Sequence, residues 1–362
     1  MDAVAKNQST SIYGNITALA ESPKNENIIY AGTDDGLIQV TSDGGQTWSK
    51  ASQVPAISIG GTTVGPLVNF IMASQHDENV AYAVVNNHRM GDFKPYLVKT
   101  TDKGKTWVSI SGNLPEKGSA YSMAEDHKNK DLLFCGTEFG FYFSNNGGKN
   151  WIEITNGLPQ AICIKDIAIQ KRENDIVIAT FGRGMYVIDD YSLLQNITKE
   201  DLDKKATIFP VKDGLVYTES TPYGHKGKSF QGASMFNAVN PPVGATITWN
   251  LKDSYKSLKD KRKEAEKEKI KAGKDVFYPS KDSIRLEDKE EAVYTLLVIT
   301  DEKGNEVRKI KQDAKKGMKK VTWNGRMEIT GPVNFYTPNP DNPYEGEDLG
   351  APAVPGLSLI HI

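Results

Sequence analysis

Thr41-Ser-Asp-Gly-Gly-Gln-Thr-Trp48 returns as Thr100-Thr-Asp-Lys-Gly-Lys-Thr-Trp107 and again as Ser144-Asn-Asn-Gly-Gly-Lys-Asn-Trp151. The shared frame is Ser/Thr-x-Asp-x-Gly-x-Thr-Trp, with Asn146 and Asn150 the departures in the third copy. The copies start 59 and then 44 residues apart, a spacing that marks propellers and solenoids. Asp-x-Gly is turn chemistry, because an Asp side chain accepts backbone N–H bonds and Gly tolerates positive φ. Each phrase therefore predicts a hairpin loop built on Thr41, Asp43 and Gly45, on Thr100, Asp102 and Gly104, or on Ser144, Asn146 and Gly148. Trp48, Trp107 and Trp151 are expected to fold back as apolar plugs between neighbouring sheets.

Working outward, each phrase sits inside a larger repeat. A strand-like run opens each unit, at Ile16–Leu19, Val68–Met72, Tyr121–Ala124 and Ile164–Ile169. A polar turn and a second run follow, at Ile28–Ala31, Val80–Val85, Leu132–Cys135 and Ile176–Ala179. Glycine-punctuated crossings to a third run read Gly32-Thr-Asp-Asp-Gly36, Gly136-Thr-Glu-Phe-Gly140 and Thr180-Phe-Gly-Arg-Gly184. Short alternating runs with regular turns mean antiparallel sheet, one four-stranded blade per unit. The expectation is an all-β chain with four propeller blades in 1–194, near 15–60, 68–115, 120–160 and 164–194.

A different pattern starts after Asp190. Residues 195–243 read as a linker, and 244–330 as a β-sandwich with a helical insertion at 253–274. That insertion mixes Lys and Glu without interleaved aromatics, the pattern of a solvated helix rather than a nucleic-acid patch. Residues 331–356, rich in Pro and Asn, read as loop. The last residues, 357–362, match the translation of a transposase adapter used in DNA library preparation, so the chain is expected to be a piece of a longer one. Met1-Asp-Ala-Val-Ala-Lys6 lacks the apolar core of a leader, and on that reading says nothing about location.

The 362 residues carry a formal net charge of −2, which gives no global field for nucleic acid or an anionic membrane. No run of about 18 apolar residues is present, so no helical membrane span is expected. Cys135 and Cys163 fall on neighbouring blades, and the spacing leaves open whether they pair. The five His residues show no metal-ligand spacing, and no motif calls for a cofactor or a metal.

The repeated phrase resembles the Asp-box, or BNR repeat. With Gly32–Gly36 and Ala179-Thr-Phe-Gly-Arg-Gly-Met-Tyr-Val-Ile-Asp-Asp190, the blades are similar to the closing part of bacterial sortilin-type BNR-repeat propellers, often labelled glycosyl hydrolases. The resemblance covers residues 14–330, including a trailing immunoglobulin-like sandwich whose signature appears at Val321–Arg326. It implies a secreted or envelope-associated protein with further blades ahead of these four. It also implies either a peptide- or glycan-binding module or a glycoside hydrolase.

Hydrolysis needs two carboxylates about 5–10 Å apart. The candidates are Asp34, Asp35 and Glu138 on the crossings, with Asp189 and Asp190 further along, and none can be paired by spacing. Arg183, flanked by glycines, is a candidate binding residue. Binding is the favoured reading, and this stretch alone is expected to be inactive.

Overall fold

The computed structural model describes residues 14–50, 66–217, 241–329, 331, 350–354, 356 and 358–362. These belong to two compact units, 1–196 and 197–362.

In the first unit, blade 1 is β1 (Ile16–Ser22), β2 (Asn25–Thr33), β3 (Ile38–Thr41) and β4 (Ser49–Lys50). Blade 2 is β5 (Leu67–Ala73), β6 (Ala81–Asn86), β7 (Tyr96–Thr100) and β8 (Val108–Ser109). Blade 3 is β9 (Ala120–Glu125), β10 (Leu133–Thr137), β11 (Phe141–Ser144) and β12 (Ile152–Glu153). Blade 4 has only three strands, β13 (Ile164–Gln170), β14 (Asp175–Thr180) and β15 (Met185–Ile188). Four strands were expected there as well. No fourth strand stands there among the described residues: no box phrase follows Ile188, and the chain instead turns into α1 (Ser192–Asn196). Tyr191 at that turn is buried edge-on against Phe134, with ring centroids 5.3 Å apart.

Strands pair antiparallel in sequence order within every blade. Each first strand is irregular at the same place, where its opening residues meet the end of the second strand. That shared bulge fixes the correspondence between blades. Ile16, Val68, Ala120 and Ile164 are equivalent, and so are Leu19, Ile71, Met123 and Ile167. Side chains alternate across a strand, so these residues face the preceding blade while their neighbours face the next one.

The packing follows that alternation. Tyr30, Ile38 and Val40 of blade 1 share a buried cluster with Val68, Ile71 and Ala83 of blade 2. Val84 and Leu97 of blade 2 share one with Ala120 and Met123 of blade 3, and Phe134 and Phe141 share one with Ile164 and Ile167 of blade 4. Where two backbones come closest, volume is matched across the gap. A Cβ on Gly32 would collide with Val68, and one on Gly136 with Ile164, whereas Val84 faces the small Ala120.

The repeated phrase forms the third-to-fourth-strand hairpins. Thr41 Oγ1 donates to Asp43 Oδ1 (2.7 Å) and accepts from Gly45 N (2.9 Å). Asp43 also accepts from Thr47 N (2.9 Å) and Thr47 Oγ1 (2.5 Å). Thr100, Asp102, Gly104 and Thr106 repeat this set, with Thr106 Oγ1 2.6 Å from Asp102 Oδ2. In the third loop Ser144 donates to Asn146 Oδ1 (2.9 Å) and Asn150 N donates to the same oxygen (2.9 Å), but no side-chain hydroxyl stands at 150 to add the last bond. The loop glycines Gly45, Gly104 and Gly148 have φ of 92°, 82° and 88°, where a Cβ would be strained.

One expectation needs correcting. Trp107 and Trp151 are each 4 % exposed and plug the space toward the preceding blade, but Trp48 is 42 % exposed. Its loop is the same, and the blade it would pack against is not among the described residues.

In the second unit, α2 (Lys199–Asp203) leads into β16 (Ala206–Ile208), which pairs with β17 (Ala245–Leu251). The segment expected to be a linker over 195–243 therefore already contributes a strand, and its residues 218–240 lie outside the described ones. Two helices follow β17, α3 (Leu258–Lys271) and α4 (Lys281–Lys289), and then β18 (Tyr294–Thr300), β19 (Glu306–Asp313), β20 (Gly317–Trp323) and β21 (Leu359–His361). The sheets run β16-β17-β20 and β19-β18-β21 around a core of Ile247, Trp249, Leu251, Leu297, Ile299 and Trp323.

The helical insertion is longer than the sequence suggested. Ser280 accepts from Ser283 N and starts a second helix, and Arg262 reaches across from α3 to Glu287 at 2.6 and 2.9 Å. Leu359–His361, within the segment read as an adapter-derived tail, pairs with β18. Most of the loop expected at 331–356 lies outside the described residues.

Candidate functional site

The two ends of the blade stack differ in chemistry. At one end lie the polar turns and the box hairpins, tied together by backbone bonds such as Gly44 N to Asn27 O and Gly147 N to Asp131 O. The crossings between second and third strands occupy the other end, where the first strands also begin.

The box end includes one dense polar cluster. Asp126 is buried and accepts from Tyr191 hydroxyl (2.5 Å), Gln195 Nε2 (2.8 Å), Lys128 N (2.8 Å) and Asn129 N (2.6 Å). Burial pushes its carboxyl up, but these donors outweigh it and hold the group below the usual range. His127 beside it is pushed below the usual imidazole range, by burial first, with Asp126 opposing. Four donors on two oxygens leave Asp126 little free basicity. The cluster fastens α1 to blade 3.

The crossing end is assembled from three blades. Tyr121, one residue into β9, lies under Lys165 of β13, whose Nζ is 3.3 Å from the ring centroid. Phe181 on the β14–β15 crossing approaches the same ammonium at 5.7 Å and is exposed to solvent. Burial raises the Tyr121 hydroxyl above its usual range, the fields of Glu138 and Cys163 add to this, and a hydrogen bond with Asn86 opposes it. The Cys163 thiol is raised by burial and by Glu138, while Lys165 pulls it down. Both cysteines are free thiols, Cys135 fully buried and Cys163 partly open.

Next to Tyr121 in the chain, the buried hydroxyls of Ser119 and Ser122 have no hydrogen-bond partner among the described residues. Beside the cluster, a cavity of about 310 Å³ is lined by Phe139, Phe141, Glu153, Leu158, Pro159 and Ile162, among others.

The residues singled out from sequence are distributed as follows. Asp34 is buried and accepts from Asn15 N (2.9 Å) and Asn15 Nδ2 (3.2 Å), holding the start of β1 to the crossing. Asp35 accepts from Thr33 Oγ1. Both belong to blade 1. Glu138 is on the blade 3 crossing, its backbone N bonded to Ser119 O (2.9 Å), and it is the one catalytic candidate that stands in the Tyr121 cluster. Arg183 is exposed on a turn between Gly182 (φ 77°) and Gly184 (φ 72°). Tyr121, Lys165 and Asn86 were not singled out, because each lies in an ordinary strand run and only the packing of blades brings them together. Among the described residues no group of His, Cys, Asp and Glu could hold a metal ion.

No family profile matches the chain. A xyloglucanase of Hypocrea jecorina (strain QM6a) is 24 % identical over 147 residues, which cover 37 % of this chain and 17 % of that protein. The chain thus spans about a sixth of the length of the curated relative it matches. Among solved structures, the Niastella koreensis GH74 enzyme is 15 % identical, covering 49 % of this chain and 29 % of its own, with a TM-score of 0.38. YCF48 bound to D1 peptide is also 15 % identical, covering 50 % of this chain and 52 % of its own, with a TM-score of 0.36.

Proposed function

We propose that the blades form a binding module of the sortilin-like BNR type and that their crossing end holds a peptide or a glycan. The observation that carries this reading is the aromatic and cationic surface made by Tyr121, Lys165 and exposed Phe181, with Lys165 Nζ 3.3 Å from the Tyr121 ring centroid and 5.7 Å from that of Phe181. Exposed Phe139 and Phe181 extend the same surface with apolar faces that suit a proline ring or the flat side of a sugar. A ligand hydroxyl or amide oxygen would accept from the Lys165 ammonium while its apolar parts rest on the two phenylalanines. By resemblance, such a module works outside the cell or in its envelope.

A second reading, a sialidase- or xyloglucanase-like glycoside hydrolase, draws on the match to the xyloglucanase. On that reading Glu138 supplies one carboxylate, and most of the catalytic set lies beyond this chain. Against it, Asp34 already has both carboxylate oxygens engaged by Asn15.

Oligosaccharide and peptide panels separate the two readings. Binding without turnover, weakened about tenfold by Tyr121→Ala or Lys165→Ala, is the expected result for one lost stacking or charged contact. Hydrolysis of aryl-glycosides that is abolished by Asp35→Asn or Glu138→Gln would overturn the binding reading.

A further inference from the structure

Every residue that lines the cavity beside the Tyr121 cluster lies between 139 and 162, so blade 3 and the chain leading into blade 4 build it by themselves. Its floor reaches the core between those blades, where Phe141 and Ile162 are buried. Leu158 and Pro159 add apolar walls, and half-exposed Phe139 stands at the rim. The volume of about 310 Å³ falls at the small end of the about 300–1,000 Å³ typical of ligand sites. Ala161, also on the lining, sits at φ 50°, and backbone held off its preferred wells concentrates at such sites.

One charged group joins this apolar lining. Glu153 lies on β12 opposite Tyr142, and its carboxylate runs over Gly140, where a Cβ would come within 2.9 Å of Oε1. No hydrogen bond or ion pair engages that carboxylate among the described residues. A wholly apolar guest would strip water from it without replacement. A sugar carries hydroxyls around its whole edge, and the floor of Phe141 and Ile162 offers them no partner. An arginine divides as the cavity does. Its methylene stem covers the apolar floor, while its planar guanidinium stays at the rim, paired with both oxygens of Glu153 and stacked on Phe139. A lysine ammonium is a point charge that cannot make both contacts.

We propose that this cavity receives an arginine side chain of a peptide laid across the crossing end. The inference rests on the binding-module reading and narrows it, from a peptide or a glycan to a peptide that presents arginine. The distribution of charge agrees. Blade 3 brings Glu138 and Glu153 to this end, whereas Lys165 and Arg183 stand on blade 4, so a cation is directed to blade 3.

The test follows the methyl signals of Leu158, Ala161 and Ile162 by NMR of the full chain as Nα-acetyl-arginine methylamide is added to about 50 mM. These signals should shift and saturate with a millimolar dissociation constant. The citrulline analogue, similar in shape but neutral, should bind about tenfold more weakly. Glu153→Gln, at an exposed position, should bring the arginine probe down to the citrulline level and leave citrulline unchanged. Phe139→Ala should weaken the arginine probe. Silent methyls overturn the proposal, as do equal affinities for the two probes or a preference for arginine that survives Glu153→Gln. So does methyl β-cellobioside, if it occupies these methyls more tightly than arginine. A chain that takes the arginine probe but no member of the peptide panel breaks the binding-module reading and leaves the cavity's preference standing. Peptides bound without regard to arginine break this inference alone.

Discussion

Trp48 and Trp107 end the same loop, held by the same bonds from Thr41 and Asp43 or from Thr100 and Asp102, yet one ring is open to water and the other buried. The hairpin is a local matter, settled within eight residues by hydroxyl, carboxylate and glycine. Burial of the ring depends on whether a blade stands before it. Blade 2 has blade 1 in front of it, and blade 1 has no described blade in front of it. One phrase can thus fix a loop three times while leaving the energetic value of its tryptophan to the neighbours.

The largest expected difference tests that contrast. Trp107→Ala or Trp151→Ala should cost roughly 3–5 kcal/mol in urea denaturation, since each empties a packed gap between blades. Trp48→Ala in dilute protein should cost under about 1 kcal/mol, because a half-exposed ring leaves little cavity. Equal losses at all three positions would erase the contrast.

Next in size is the small-residue position. Gly32→Val drives a branched side chain into Val68 and should cost about 1–3 kcal/mol by overpacking. The equivalent Ala179→Val on the open face of blade 4 should stay within about 0.5 kcal/mol. Thermal melts of the two variants, side by side, read the difference.

The architecture was legible from sequence because its determinants are short-range. Runs such as Ile176-Val-Ile-Ala179 alternate between turn residues, and the box phrase marks where a third strand bends into a fourth. What lies outside an alternating strand is not written in the strand. Leu19 and Ile71 are both apolar at the same register, and only the blade count tells which is covered. The site was largely illegible for a related reason. Tyr121 and Lys165 are about 40 residues apart in sequence and meet only where blade 3 packs on blade 4. The crossings did single out Glu138, since acidic residues next to glycine stand out. α4 went unread because its start depends on the single cap Ser280 after a proline.

A smaller effect separates the first two boxes from the third. Bonds from the Thr47 side chain and backbone, and then from Thr41, hold Asp43 down at about 2. Asp102 is likewise about 2, chiefly through Thr106. An unfolded Asp titrates near about 3.9, so the folded state binds fewer protons in this range. The contribution of these loops is therefore full above about pH 4 and is lost as pH falls toward 2. Asp43→Asn and Asp102→Asn should flatten that part of the stability–pH curve, while Asn146→Ala, which removes no titrating group, should leave its shape alone.

Smallest of all, Asn146→Asp combined with Asn150→Thr should rebuild the missing hydroxyl bond. The gain expected is about 0.5–1 kcal/mol, the net worth of one hydrogen bond. A loss on denaturation would mean the third loop has adapted to its amides.

Hydroxyl-radical footprinting of dilute protein, read by peptide mass spectrometry, tests the central claim most directly. Trp and Met are reactive side chains, and the molecule places them on both covered and open faces. The account predicts rapid oxidation at Trp48 and Met185, with Trp107, Trp151 and Met123 protected. Equal protection of Trp48 and Trp107 in the single chain, or of Met185 and Met123, would contradict it.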